Sequence, residues 1–212
     1  MITIVNYGMG NVGSILNMLK KIGAKAEITS DPETILQAQQ LILPGVGAFD
    51  NGMKNLQEMG LIEPLNEAVV QQGKPILGLC LGMQLFTRSS EEGTRQGLGW
   101  IDAHTVRFKA TENAPTLKVP HMGWNTINIK RDNYIFRSAG VREPRFYFAH
   151  SYHVVAHNQS DILGEAVYGY PFVAAIQHEN IIGVQFHPEK SHSYGMSLLR
   201  NYALGEGLAV AG

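Results

Sequence analysis

Two kinds of hydrophobic pattern alternate along the first half of the chain. Short apolar runs that predict buried strands lie at residues 2–8, 25–30, 40–44 and 74–80. Apolar residues recur at helical spacing in segments 12–23, 32–39, 53–60 and 61–73, and a glycine-rich loop occupies 44–52. Pro32 opens a helix that Ser30 or Asp31 can cap, and Gly23 closes the helix before it. Strands alternating with helices indicate a mainly parallel sheet covered by helices on both faces.

The pattern changes after the polar segment at residues 89–99. Apolar strand patterns with short turns follow at 105–110, 117–130, 145–157, 162–170, 171–179 and 181–187, and a helical pattern at 193–204. These strands are expected to be largely antiparallel. With no internal repeat and no low-complexity linker, the sequence predicts one domain over residues 1–212. Its expected fold class is α/β, with three layers, a mainly parallel sheet flanked by helices, and an antiparallel extension.

Charge and composition exclude several classes of function. Lys and Arg total 17 against 18 for Asp and Glu, a net charge of −1, so there is no basic field for nucleic acid or an anionic membrane. No apolar run approaches the roughly 20 residues that span a bilayer, and the start lacks a signal-peptide pattern. One cysteine cannot form an internal disulfide. We therefore expect a cytoplasmic protein.

The single cysteine has the surroundings of a nucleophile. Cys80 ends an apolar strand and precedes a helical pattern, with Gly78 and Gly82 on either side. Glycines permit the close backbone contacts of a sharp strand-to-helix turn, as in the nucleophile elbow. The helix N-terminus stabilises a thiolate, and the N–H of Leu81 is placed to contact an oxyanion. The alternative is an inert buried thiol, which is common among free cysteines.

A base for this nucleophile is predicted at the end of the last strand. Pro188 favours an extended conformation at His187, and residues two apart on an extended chain share a face. Glu189 can therefore orient the imidazole and stabilise its charged form. The alternatives are a surface histidine beside a solvated glutamate, or a metal site built from His187, Glu189 and His192. His150 and His153, by contrast, are expected on opposite faces of one strand.

A competing interpretation concerns the glycine-rich start of the chain. Residues 8–13 match G-x-G-x-x-G after a strand and before a helix, and Asp31 follows about 20 residues on. This spacing is typical of a dinucleotide site. The same glycines can simply allow close strand–helix packing, and a dinucleotide site leaves Cys80, His187 and Glu189 without a common explanation.

The segments LILPGVGAFDNG, GLCLGMQLF and VQFHPEKS together resemble class I glutamine amidotransferases, which use a Cys–His–Glu triad. The resemblance extends from about residue 2 to about residue 204. NYGMGN, PHMGWN and FAHSYH narrow it to the glutaminase subunits of imidazole glycerol phosphate synthases. It implies a flavodoxin-like fold, no cofactor and no metal. His192 stands where Gln or Gly is expected.

The resemblance also implies a role for individual residues. Three are implied to be catalytic: Cys80, His187 and Glu189. The implied oxyanion hole consists of backbone groups of Leu81, Val46 and Gly47. The implied glutamine contacts are Gln84, Ser151 and Tyr152. Cys80 would attack the amide of L-glutamine and release ammonia, and glycines at 45 and 47 would leave the peptides around Val46 free to reorient.

A partner follows from the same resemblance. The receiver of ammonia would be a separate (βα)8-barrel synthase subunit, forming a heterodimer with this chain. It would join ammonia to a ribotide and produce imidazole glycerol phosphate and aminoimidazole carboxamide ribotide. Asn11, Trp124 and Lys190 are expected at the interface. The remaining alternatives are a scaffold without catalysis, and a cysteine peptidase or γ-glutamyl hydrolase with the same elbow.

Overall fold

A computed structural model describes residues 1–112, 114–137 and 143–205. The α-helices are α1 (Val12–Lys21), α2 (Pro32–Gln37), α3 (Phe49–Glu58), α4 (Ile62–Asn66), α5 (Leu81–Leu85) and α6 (His192–Leu204). The strands are β1 (Ile2–Val5), β2 (Ala26–Thr29), β3 (Gln40–Leu43), β4 (Ile76–Leu79), β5 (Ala103–Arg107), β6 (His121–Thr126), β7 (Asn128–Ile129), β8 (Arg145–His150), β9 (Tyr152–Ala156), β10 (Ile162–Tyr168), β11 (Tyr170–His178) and β12 (Ile181–Val184). A π-helical turn, Glu67–Gln71, continues α4.

The main sheet has the order β2-β1-β3-β4-β12-β11-β10-β7. The first five strands are parallel to one another, and the strands from β12 to β7 are antiparallel. Strand β9 pairs with β11 and carries β5 beyond it, while β6 and β8 form a separate two-stranded sheet. The predicted parallel sheet with an antiparallel extension is therefore confirmed.

Two hydrophobic clusters cover the two faces of the parallel strands. One contains Leu41 and Leu43 of β3 with residues of α2, α3 and α4, and the other contains Ile42 with residues of α1 and α6. This alternation follows from the two-residue period of a strand, which sends successive side chains to opposite faces. The sheet thus lies between two helical layers, as the pattern predicted.

Helix termini agree with prediction where the capping group is local. Asp31, one of the two predicted caps, accepts from the N–H of Thr34, and Gly23 follows α1 with a φ of +79° as predicted. The cap of α1, Asn11, which accepts from the N–H of Ser14, was not predicted. The predicted start of α3 at residue 53 is wrong, because the helix begins at Phe49. Its first N–H donates to a carboxylate 43 residues away, which no local pattern shows.

Two predicted long strands are each divided in the structure. Segment 117–130 forms β6 in the small sheet and β7 in the main sheet, with a cis peptide before Pro120. Segment 145–157 breaks at Ser151, so that β8 and β9 belong to different sheets. This break also overturns the expectation for His150 and His153, because both imidazoles pack on the ring of Phe108, with centroid distances of 5.3 and 4.6 Å.

None of the helices in the described part of the chain is both long enough and apolar enough to cross a membrane.

Candidate active site

Cys80 occupies a strained turn between β4 and α5. Its backbone has a φ of +52° and a ψ of −105°, a conformation that costs about 1–3 kcal/mol in a residue with a side chain. A Cβ on Gly82 would lie 1.9 Å from the carbonyl oxygen of Leu43, and one on Gly78 would lie 2.4 Å from the ring of Phe86. Both glycines are therefore required for the elbow, and strain of this kind is typical of functional sites.

His187 and Glu189 form a buried pair at the end of β12. Nδ1 of His187 lies 2.8 Å from Oε1 of Glu189, and both side chains are at least nine-tenths buried. The predicted contact is present, and His187 is extended as predicted, with a φ of −104° and a ψ of +95°, but the chain does not stay extended through Glu189. Residues Pro188–Lys190 form a 3₁₀ turn rather than an extended strand, and Ser191 closes it through a 2.6 Å hydrogen bond from its hydroxyl to the carbonyl of His187.

The environment of His187 favours a charged imidazole. Burial opposes protonation, but hydrogen bonds and charge interactions with Cys80 and Glu189 outweigh it and raise the pKa of His187 to about 10. The carboxylate of Glu189 can only accept a hydrogen bond, so the proton of a neutral His187 ring lies on Nδ1. Nε2 is then left available to the sulfur of Cys80. His187 is therefore paired with Glu189 by a buried hydrogen bond and is influenced by the charge of Cys80.

The loop at residues 44–47 lies against this elbow. The buried hydroxyl of Tyr7 donates to the carbonyl of Pro44 at 2.6 Å. The N–H of Leu81, the expected oxyanion donor, donates to the carbonyl of Gly45 at 3.3 Å. Gly47 has a φ of +125°, and Val46 is exposed. The donor of Leu81 is therefore engaged by the loop itself in this conformation.

A cavity of about 270 Å³ opens beside the sulfur. Its lining contains Cys80, all three expected oxyanion residues and all three expected glutamine contacts: Val46, Gly47, Leu81, Gln84, Ser151 and Tyr152. The side chain of Gln84 is buried, and its Nε2 donates to the Tyr152 carbonyl at 3.1 Å and to Oε1 of Gln185 at 3.0 Å. Gln84 therefore supports the wall of the cavity as well as lining it.

Three polar residues of the site were not predicted. Glu92 lines the cavity, and its Oε2 accepts the N–H of Phe49 at 2.8 Å. Gln185 is fully buried with Nε2 3.6 Å from the sulfur of Cys80. His150 also lines the cavity. Only Gln185 had a local signal in the sequence. It is a glutamine inside the apolar segment before His187, and a buried amide needs a hydrogen-bond partner.

The three residues expected at the interface lie on the surface but differ in their contacts. Asn11 is exposed and caps α1. Trp124 is 41% exposed and stacks on His192, with ring centroids 5.6 Å apart. The ammonium of Lys190 lies 5.9 Å from the ring centroid of Tyr147. His192 thus contacts an aromatic ring rather than the His187–Glu189 pair, and the described residues contain no group of three potential ligands that could hold a metal.

The glycine-rich start has a packing role in this structure. A Cβ on Gly10 would lie 3.1 Å from the backbone nitrogen of Gly45, so this loop packs directly on the loop at 44–47. Asp31, the residue that a dinucleotide site would use, is engaged as the cap of α2. The G-x-G-x-x-G pattern is therefore explained without a nucleotide.

Comparison with known proteins first identifies the protein family. The family model for class I glutamine amidotransferases matches residues 3–204, and the chain belongs to that family. Crystal structures share the fold at low identity. A glutamine amidotransferase matches with a TM-score of 0.73 and 19% identity over 99% of both chains. Another glutamine amidotransferase, from Thermotoga maritima, matches with a TM-score of 0.66 and 15% identity over 96% of both chains.

The curated relatives narrow the class. The imidazole glycerol phosphate synthase subunit HisH 2 of Methanococcus maripaludis is 53% identical over 202 residues, covering 95% of this chain and 98% of that protein. HisH 2 of Pseudomonas aeruginosa is 49% identical over 203 residues, and HisH of Wolinella succinogenes is 46% identical over 204, each with 95% and 98% coverage. Within the family, the chain groups with the HisH subunits.

Proposed function

We propose that this chain is the glutaminase subunit of an imidazole glycerol phosphate synthase in histidine biosynthesis. It hydrolyses L-glutamine to glutamate and ammonia through a thioester on Cys80. The observation that carries the proposal is the buried hydrogen bond between His187 and Glu189, together with Cys80 in its strained elbow beside a cavity large enough for an amino acid. No cofactor or metal takes part in this chemistry.

The first half of the reaction forms the thioester. The sulfur of Cys80 attacks the side-chain amide carbon of glutamine, and the carbonyl oxygen takes up negative charge. His187 gives its proton to the amide nitrogen, the carbon–nitrogen bond breaks, and ammonia leaves. In the second half, His187 removes a proton from water, the resulting hydroxide attacks the thioester carbon, and the carbon–sulfur bond breaks. Glutamate leaves, and Cys80 and His187 return to their starting state.

Glu189 acts on the reaction through His187. Its carboxylate accepts the Nδ1 proton at 2.8 Å and stabilises the imidazolium. Burial strengthens this interaction, because little water competes for either group. Its Oε2 is buried without a hydrogen-bond partner in the described part of the chain. We assign Glu189 the orienting role, as expected from the sequence.

Substrate recognition uses the polar wall of the cavity. The α-ammonium of glutamine needs an acidic partner, and Glu92 is the one carboxylate among the lining residues of the described chain. Gln84, Ser151 and Tyr152 line the same cavity and would contact the rest of the amino acid. A γ-glutamyl hydrolase or cysteine peptidase would need room for a further residue, so comparing glutamine with γ-glutamyl peptides as substrates separates these activities.

The ammonia product is proposed to pass to a (βα)8-barrel synthase subunit in a heterodimer. The products there would be imidazole glycerol phosphate and aminoimidazole carboxamide ribotide. Exposed apolar side chains of Val46, Met122 and Trp124 are grouped near the cavity, since Val46 and Met122 line it and Trp124 lies on the same strand as Met122. Such a patch fits a protein interface, where aromatic and methionine side chains are enriched. Asn11 and Lys190 would lie at its margin, and the complex is expected in the cytoplasm.

The test uses Cys80→Ser in the complex with the synthase subunit. Loss of glutamate release is expected, because a neutral hydroxyl is a far poorer nucleophile than a thiolate. Synthesis supported by added ammonium salts should persist, which shows that the variant folds and binds its partner. Glutamine hydrolysis near the wild-type rate would refute the assignment. Glutamine hydrolysis by the complex with the unaltered chain also excludes a scaffold without catalysis.

A further inference from the structure

Asn125, His121 and His150 are joined by hydrogen bonds beside the cavity. His121 of β6 and His150 of β8 are direct cross-strand partners, and both imidazoles are buried. Nδ1 of His121 lies 3.0 Å from Nε2 of His150. Nε2 of His121 lies 3.3 Å from Nδ2 of Asn125. The catalytic steps proposed above use none of these three side chains.

The backbone carbonyl of Tyr152, a residue that lines the cavity, sets the donor-to-acceptor direction of these hydrogen bonds. Nδ1 of His150 lies 2.7 Å from the carbonyl oxygen of Tyr152, which can only accept. Nδ1 of His150 therefore carries a proton, and in the neutral ring Nε2 is an acceptor. The neighbouring Nδ1 of His121 must then donate to it.

The hydrogen bonds of Asn125 give the same donor-to-acceptor direction independently. The N–H of Thr126 donates to Oδ1 of Asn125 at 2.8 Å, and Nδ2 of Asn125 donates to the carbonyl of Val167 at 2.9 Å. These two contacts fix the orientation of the amide, so Nδ2 faces Nε2 of His121 and donates to it. Because the neutral ring of His121 accepts at Nε2, it carries its proton on Nδ1. The hydrogen bond from His150 to the Tyr152 carbonyl requires the same.

Both rings are held neutral and in place. Burial lowers the pKa of His121 to about 4, and burial together with nearby histidines lowers that of His150 to about 3, although its hydrogen bond to Tyr152 acts in the opposite direction. The ring of His121 stacks between Phe148 and Tyr168, with centroid distances of 4.8 and 4.2 Å. The hydrogen bonds therefore join groups that have little freedom to move elsewhere.

We propose that Asn125, His121 and His150 form a one-directional hydrogen-bond relay that fixes the Tyr152 carbonyl in the wall of the glutamine cavity. The same carbonyl accepts from Gln84, so the relay orders two of the expected glutamine contacts together. The three residues act through Tyr152 and are positioning residues. The inference rests on the proposed function in one respect, that glutamine occupies this cavity.

The tautomers of the two histidines test the relay without any enzyme activity. In the full chain labelled with ¹⁵N-histidine, two-bond ¹H–¹⁵N correlations distinguish Nδ1–H from Nε2–H rings, and His121→Phe and His150→Asn assign the signals. We expect both rings to be neutral Nδ1–H tautomers throughout pH 6–8. An Nε2–H tautomer at either residue, or titration of either within that range, would overturn the relay.

Kinetics of the synthase complex test its effect on the cavity. His121→Phe keeps an aromatic ring in the stack and removes both nitrogens, so KM for glutamine should rise about ten-fold with a much smaller change in kcat. His121→Asn places an amide near the Nδ1 position and should restore most of the wild-type KM. His153→Phe is the matched control, because His153 is equally buried and packs on the same Phe108 ring outside the relay.

The control should leave KM within about two-fold of the wild-type value. Equal KM values for His121→Phe and His121→Asn, or an equally large rise in His153→Phe, would show that His121 acts only through packing. Either result would overturn the proposal. If the wild-type complex hydrolyses no glutamine, the proposed function fails, while the tautomers still decide whether the relay exists.

Discussion

The loop at residues 44–47 should hold the isolated chain nearly inactive. The N–H of Leu81 donates to the carbonyl of Gly45, so it cannot at the same time stabilise an oxyanion on the substrate. Gly45 and Gly47 flank Val46, and glycine permits the peptide reorientation that would free this donor and present a second one. The partner subunit is expected to favour the open arrangement by binding the exposed patch that includes Val46.

The effect of the loop on the rate can be judged from the hydrogen bond between Leu81 and Gly45. At 3.3 Å the contact between Leu81 and Gly45 is at the weak end of backbone hydrogen bonds, so breaking it costs about 1 kcal/mol. One missing oxyanion donor lowers the rate by roughly 10²–10³. This contact alone favours the closed loop only about five-fold, so near-complete inactivity of the isolated chain needs a total closed-state preference of about 3–4 kcal/mol. The partner must then bind the open loop more tightly by at least that much to switch most of the activity.

Glutamate release should be measured from the isolated chain, from the complex, and from the complex with its acceptor ribotide bound. Near-zero, weak and strong activity are expected in that order. Full activity of the isolated chain would refute the reasoning. Equal activity of the complex with and without the acceptor would refute the ligand-dependent part of it.

A substitution in the loop tests the same mechanism directly. A Cβ on Gly47 would lie 2.8 Å from Cε of Met9, at a φ of +125° that side chains rarely adopt. Gly47→Ala should therefore shift the loop and change the activation ratio between isolated chain and complex. Gly73→Ala is the matched control, because Gly73 also has a positive φ, of +66°, but nothing lies within 4 Å of its Cβ position. An unchanged ratio in Gly47→Ala would contradict a role for the loop.

Further outcomes concern the catalytic pair, the substrate and the partner. His187→Ala should lower glutamate release in the complex at least about 10³-fold and Glu189→Gln about 10–100-fold, and equal losses would contradict the orienting role. Folding raises the pKa of His187 from 6.5 to about 10, so its stabilising contribution is complete below about pH 6.5 and is lost as pH rises through about 10. Chemical denaturation between pH 6 and 10 should show this fall in the free energy of unfolding, and Glu189→Gln should reduce it. Glu92→Gln should raise KM for glutamine about ten-fold, and a normal KM would remove Glu92 from the substrate site. Trp124→Ala should weaken binding of the synthase subunit by about 2 kcal/mol in calorimetry without lowering the melting temperature, and unchanged affinity would place the interface elsewhere.

Local signals were sufficient for the parts of the fold and site that depend on neighbouring residues. The alternation of strands and helices predicted the parallel sheet, and the glycines around Cys80 predicted the elbow. The spacing of His187 and Glu189 predicted their contact even though the backbone between them is a turn rather than a strand. Two side chains two residues apart can meet in either geometry, which is why the prediction succeeded for the wrong reason.

Long-range contacts account for what was not predicted. Helix α3 begins at Phe49 because its N–H donates to Glu92, and the two residues are 43 positions apart. His150 and His153 face the same ring because the chain changes sheets at Ser151. A hydrophobic pattern records which residues are buried, but not which sheet each half of an apolar segment joins.

The contact between Glu92 and Phe49 also relates substrate binding to the oxyanion loop. Phe49 follows Gly47 by two residues, and Oε2 of Glu92 holds its N–H at the beginning of α3. Asp50 strengthens this connection by accepting the N–H groups of Thr94 and Arg95, so the segment after Glu92 is fixed to the same helix terminus. A glutamine ammonium bound by Glu92 would therefore contact a group that already positions one end of the loop. We expect glutamine to change the cost of loop reorientation as well as to fill the cavity, because the two events share one carboxylate.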